Sequence, residues 1–255
     1  MWFNVIPLFL LFLLTLAVLL AAVEAGSWIA ARTEDSTKDK HQGPIASVVT
    51  AILGLLAFIL AFTFGMTESR FEQRRQLVLD EANAIQTAYY TSSLLPVVQK
   101  AEIRKLLRAY VETRLDLTLK NLRERMAKSL ELQRLLWKET ESLVGEKMQG
   151  DLRVLFIGQI TQLFTLHQSR KTVGIIYRIP GTIWLSLYFL AAISMLAIGY
   201  QVGAAGAKRL RGVSVLAIGI ACVITMIADI DRPAEGQFKV SEQPLRDVHE
   251  MMLKE

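Results

Sequence analysis

Four apolar runs frame the chain: Trp2–Val23, Ala46–Met66, Thr182–Gly199 and Val213–Ile230. Each is about 18–22 residues long and nearly free of charge, enough at ~1.5 Å per residue to cross a ~30 Å hydrocarbon layer. The pattern predicts an all-α integral membrane protein with four transmembrane helices. A long helical extramembrane domain is expected between the second and third. The expected organisation is a first hairpin over 1–66, the helical domain over 67–181, a second hairpin over 182–230 and a polar C-terminal tail over 231–255.

The second helix is expected to continue beyond the membrane. From Glu68 to Thr91 there is no Gly or Pro, and Phe71, Leu77, Val78, Ala82, Ile85, Ala88 and Tyr89 recur at helical spacing. Leu94-Leu95-Pro96 marks the break. A second stripe runs through Leu106, Leu107, Tyr110, Val111, Leu115, Leu119, Leu122 and Met126, and Leu132, Leu135, Leu136 and Leu143 extend it. Gly145 and Gly150 are the next expected breaks. Leu152, Leu155, Phe156, Ile160, Leu163 and Phe164 form a third stripe before Pro180-Gly181. No stretch alternates with period two, so no sheet is expected. Arg32 to Pro44 reads as a short turn-rich loop, and Tyr200 to Gly212 as the second connection.

Composition adds a basic bias. The chain carries 29 Lys and Arg against 24 Asp and Glu. Thr67–Gly181 alone holds 19 against 13, a net of +6. With spans beside it, such a surface suits lipid headgroups or inorganic anions, and nucleic acid is not expected as a partner. The single Cys222 forms no intrachain disulfide. The first run lacks a preceding positive residue and is too long for a signal peptide, so it is read as a span. Near the membrane ends and in the tail, nine Lys and Arg on the insert's side face six in the two short loops, which favours a cytoplasmic insert. The positive charge that follows the first run pulls the other way. The spans imply a membrane location, expected to be the cell (inner) membrane.

Several positions carry candidate chemistry. In the second run, Ala57, Ala61 and Gly65 lie four apart and make a small-residue packing face. Phe58, Phe62 and Met66 form a bulky stripe at the same spacing, with Leu55 and Ile59 a rival one. Around an axis of identical helices, either stripe makes a hydrophobic constriction that gates by dewetting. In a plain bundle both pack against neighbours or lipid. Beyond the membrane, Arg70, Arg74, Arg75, Glu81, Asn83 and Thr87 form a polar seam, read as a contact between helices of different subunits, as an anion vestibule, or as helix-bundle packing with ion pairs. Asp229, Asp231, Arg232, Pro233 and Gly236 end the fourth run. Acids at a helix C-terminus oppose the helix dipole and require a partner, with Arg232 or Arg74 the candidates. Glu24 closes the first run, where its carboxylate reaches water. His41, His167 and His249 lie far apart. Neither metal-ligand spacing nor a nucleophile-base set is present, so no metal, cofactor or enzyme activity is expected.

Phe71-Glu-Gln-Arg-Arg75, Glu81-Ala-Asn-Ala-Ile85 with Thr87 and Tyr89, Leu107-Arg-Ala-Tyr110, and Asp229-Ile-Asp-Arg-Pro233 followed by Gly236 resemble the bacterial bestrophin-like domain family. The resemblance covers most of the chain, and the Glu-Ala-Asn-Ala-Ile segment is its most specific part. It implies a pentameric anion channel with the second helix lining a neck. The chain differs from true bestrophins in lacking their proline-rich filter segment and acidic calcium-clasp run. The resulting expectation is a homo-oligomeric, anion-preferring ion channel in contact with membrane lipid. The alternative is a membrane scaffold or sensor whose helical domain recruits partners.

Overall fold

The structure is a computed structural model, and it describes residues 6–32, 35–118, 120–146, 148–205, 211–232 and 237–255. Among the described residues eight α-helices follow in order: α1 Leu8–Ala31, α2 Asp35–Thr91, α3 Val97–Arg114, α4 Leu122–Ser142, α5 Gly150–Lys171, α6 Gly181–Ala204, α7 Arg211–Asp231 and α8 Gln243–Lys254. No strand occurs among the described residues. Four helices are long and apolar enough to cross a membrane: α1, α2, α6 and α7. The chain is an all-α membrane protein.

Two compact units divide the chain. One comprises 1–69 and 178–232, the other 70–177 and 233–255. Helix α2 contributes to both.

The membrane unit is built around α1 and α6. Their contact is backbone on backbone, because glycines stand where a side chain would collide. A Cβ on Gly26 would lie 2.0 Å from the Leu196 carbonyl oxygen, and one on Gly199 would lie 2.1 Å from that of Val23. Gly203 repeats the arrangement beside Ala30 and Ser27. The Ser27 hydroxyl donates to the Gly199 carbonyl at 3.1 Å. In lipid, where apolar burial drives little association, such close packing and hydrogen bonding hold helices together. The first run was expected to end at Val23; α1 continues to Ala31, because Gly26, Ser27 and Ala30 are needed against α6. In this unit α2 buries Val49, Leu56, Thr63 and Thr67. The two threonine hydroxyls donate to carbonyls four residues back, each at 2.7 Å, so neither is left unsatisfied.

The connection after α1 is shorter than the polarity of 32–44 suggests. The backbone is helical from Asp35, and the Gly43-Pro44 pair read as a turn lies inside α2. Proline's φ near −65° is compatible with a helix, at the cost of a missing hydrogen bond and of crowding against the carbonyl four residues earlier.

In the extramembrane unit, α2, α3, α4, α5 and α8 enclose a core of Ile85, Tyr89, Leu107, Tyr110, Leu136, Phe156, Ile160 and Leu163. The break after α2 falls at the expected Leu94-Leu95-Pro96, through a 3-10 turn over Ser92–Leu94. Gly145 and Gly150 end and begin elements as expected. The stripe from Leu106 to Met126 is interrupted, however. Helix α3 ends at Arg114, and Asp116 adopts φ 54°. The turn is fastened by the Asn121 side chain, which accepts from Thr118 N at 2.8 Å and donates to the Asp116 carbonyl at 3.0 Å. The tail folds as α8, with Leu245, Val248 and Met252 buried against the core.

Candidate functional site

The membrane half of α2 has two unlike faces. Opposite its buried stripe stand Gly54, Leu55, Ala57, Phe58, Ala61, Phe62 and Gly65, all exposed. Phe58 is 64% and Phe62 56% exposed, and their rings stack at 6.5 Å and 15°. A Cβ added at Gly54 or Gly65 would meet nothing within 4 Å. Ile59 and Met66 are half-buried at the edges of this face. The phenylalanine stripe and the small residues therefore share one unpartnered face of the single chain.

Beyond the membrane, the expected polar seam divides. Glu81 is fully buried and Arg74 nearly so, Arg70 is half-buried, while Arg75, Asn83 and Thr87 are exposed. Glu81 takes its partners from other helices. It accepts from Arg114 Nε at 3.0 Å and Nη2 at 3.3 Å, from Arg170 Nη1 at 2.5 Å, and from the Tyr110 hydroxyl at 2.7 Å. One carboxylate thus holds two guanidiniums inside the domain. The Tyr110 oxygen lies 2.9 Å from His167 Nδ1. Tyr110 gives its only proton to Glu81, so Nδ1 is the donor and His167 is the Nδ1–H tautomer. Its Nε2 is buried without a hydrogen-bond partner. Burial, then the Arg114 charge, pushes His167 down to about 4. Burial, then Glu81, pushes the Tyr110 hydroxyl well above its usual value.

Sequence reasoning missed Arg114, Arg170, Tyr110 and His167 as partners of Glu81. A signal existed: Arg114 continues the Leu107–Tyr110 stripe, and His167 continues the Phe156–Ile160–Leu163 stripe. A polar group at a core position of an apolar stripe needs a buried partner. The Gly199–Gly203 spacing on α6, opposite Gly26 and Ala30 on α1, was also missed. At Gly26 and Gly199 the two backbones meet with no side chain between them.

The exposed part of the seam lines a cleft of about 450 Å³ between α2 and α5, walled by Asp80, Asn83, Ala84, Thr87, Gln159, Gln162 and Leu166. Arg75 instead pairs with Glu72 at 3.5 Å on open surface. At the end of α7, Asp229, Asp231 and Arg232 are buried. The partner found for Asp231 is Arg178, which donates to its carbonyl at 2.7 Å and lies 3.7 Å from its carboxylate. Arg232 Nη2 donates to the Ile6 carbonyl at 2.7 Å. Pro233 and Gly236 lie outside the described residues. No group of three or more His, Cys, Asp or Glu suited to a metal ion occurs among the described residues.

The chain is similar in structure to a bacterial bestrophin homologue from Klebsiella pneumoniae. One point variant superposes with TM-score 0.68 at 14% identity, covering 96% of this chain and 97% of that one. A second structure of the homologue gives TM-score 0.65 at 15% identity, covering 97% and 98%. A structure described only as a membrane protein gives 0.66 at 13% identity, covering 97% of each. At these identities the likeness establishes the fold. No curated protein sequence matches the chain. The bestrophin-like domain profile, however, matches residues 16–245, nearly the whole chain. The chain therefore belongs to the bestrophin-like family.

Proposed function

We propose that this chain is the subunit of a homo-oligomeric ion channel of the cell (inner) membrane, with the membrane half of α2 forming its neck. The observation that carries this is the unpartnered face of α2, where Phe58 and Phe62 stack beside Ala61 and Gly65. Small residues let identical helices approach, and a ring of phenylalanines excludes water where it is narrow. Met66 extends the constriction on one edge and Leu55 and Ile59 flank it. Membership of the bestrophin-like family supports the channel class and a pentameric assembly. The transported species are small inorganic ions. The anion preference expected from the family resemblance gains little from the seam, where Arg74 is buried and Arg75 pairs with Glu72. The helical unit is assigned to the cytoplasmic side from the nine Lys and Arg near the membrane ends and in the tail against six in the short loops.

Two readouts test this. Purified protein in liposomes should release a trapped salt gradient, and Ala61→Leu should lower the mass of the detergent-solubilised particle. Tight liposomes and a particle of unchanged mass would overturn the proposal.

A further inference from the structure

The fixed charges of the exposed extramembrane surface differ from those of the sequence. Thr67–Gly181 carries a net +6, but its cations are not on the α2–α5 face. Arg74 and Arg114 are buried, and Arg114 and Arg170 are both bound to Glu81. Residues 154–169 of α5 contain no Asp, Glu, Lys or Arg at all, although the surrounding domain is densely charged. The exposed charges on α2 past the membrane are Glu68, Glu72 and Arg75, with Arg75 paired to Glu72, and Arg70 and Asp80 are half-buried. The cleft between α2 and α5 therefore has four neutral polar walls, Asn83, Thr87, Gln159 and Gln162, and one fixed charge, Asp80. The Gln76 side chain donates to Asp80 Oδ1 at 2.9 Å and orients the carboxylate.

We propose that this cleft is an ion-contact surface of the channel, and that Asp80 sets its preference toward small inorganic cations. The proposal rests on the reading that α2 lines the conduction path. Amides and hydroxyls serve either sign of ion, offering oxygen to a cation and N–H or O–H to an anion. Alone they would leave the path nearly unselective. A carboxylate repeated once per subunit forms an acidic ring, which concentrates cations and repels anions. The sequence expectation of an anion path came from the family resemblance, with the arginines of the seam as a candidate vestibule. Of those seam arginines, Arg74 is buried, Arg70 half-buried and Arg75 paired with Glu72, while Glu81 holds Arg114 and Arg170 inside the domain, so none of these cations lines the cleft.

The test is the reversal potential of purified protein in planar bilayers under a potassium chloride gradient, for the parent, Asp80→Asn and Asp80→Lys. The parent should pass potassium over chloride. A unit charge within several ångströms of a passing ion changes its local concentration at least about twofold even in water, so Asp80→Asn should lower the permeability ratio by at least that factor. Asp80→Lys should carry the preference to chloride. A parent that conducts with the same ratio as both variants, or one that prefers chloride, overturns this assignment and leaves the channel reading standing. Absence of current from all three intact particles overturns both.

Discussion

Glu81→Gln is the most informative single change in the extramembrane unit. It preserves size and one acceptor oxygen but removes the only carboxylate facing two guanidiniums. Arg170 is 13% exposed at its side chain and can turn toward water; Arg114, at 2%, cannot. The amide also turns an N–H₂ toward two donors, Arg114 Nη2 and Arg170 Nη1, which both bond Oε2 of Glu81. Removing one partner of a buried pair costs about 3–5 kcal/mol, because the other charge stays desolvated. We expect about 3 kcal/mol here, since Tyr110 and one Arg114 donor retain the amide oxygen. For a unit of this size that lowers the melting temperature by roughly 6–12 °C. Trp137, whose ring lies 6.4 Å from Phe164 across the α4–α5 contact, gives a fluorescence signal for the unit's unfolding in detergent. Asp80→Asn, one residue away and half-buried beside the cleft, should change stability far less, by about 0.5 kcal/mol. Combining Glu81→Gln with Arg114→Met should recover much of the loss, since no buried charge then lacks a partner. If Glu81→Gln costs less than about 1 kcal/mol, the ion cluster is not what joins α2, α3 and α5.

Two further outcomes follow from the same geometry. Gly199→Leu should disrupt the membrane unit, because even a Cβ would lie 2.1 Å from the Val23 carbonyl oxygen; overpacking of this kind costs typically 1–3 kcal/mol or more, read as lost thermal stability in detergent. Gly54→Ala, in open space on α2, is the matched control. His167 has its pKa lowered from 6.5 to about 4, so the unfolded chain binds more protons between those values. Stability should fall as pH drops from about 6.5 to 4, by up to ~3 kcal/mol, and His167→Gln should flatten that part of the pH–melting curve.

The spans were legible because length and apolarity alone fix them. The passage of α2 out of the membrane was legible because nothing between Met66 and Leu94 breaks a helix. The break between α3 and α4 was hidden: no Gly or Pro marks it, and the left-handed position is taken by Asp116, held by Asn121. The end of α1 was hidden by polarity, since Glu24 and Ser27 look like an interface although the helix needs Gly26 and Ala30 against α6. The ion cluster joins positions 81, 114 and 170, and no local spacing announces such a triad. The seam Arg70, Arg74, Arg75, Asn83 and Thr87 was recognised as polar, but a helix drawn from sequence does not say which side its neighbours cover. The structure supplies that, turning Arg74 and Glu81 in and Asn83 and Thr87 out.

The central claim is that the exposed face of α2 closes a pore. Planar-bilayer current from the purified protein, compared with Phe58→Ala/Phe62→Ala, tests it most directly. Shrinking two stacked rings to methyl groups widens a dewetted neck, so the double variant should carry clearly more current than the parent. Equal current from the two proteins, or none from either, would contradict the claim and place these phenylalanines against lipid.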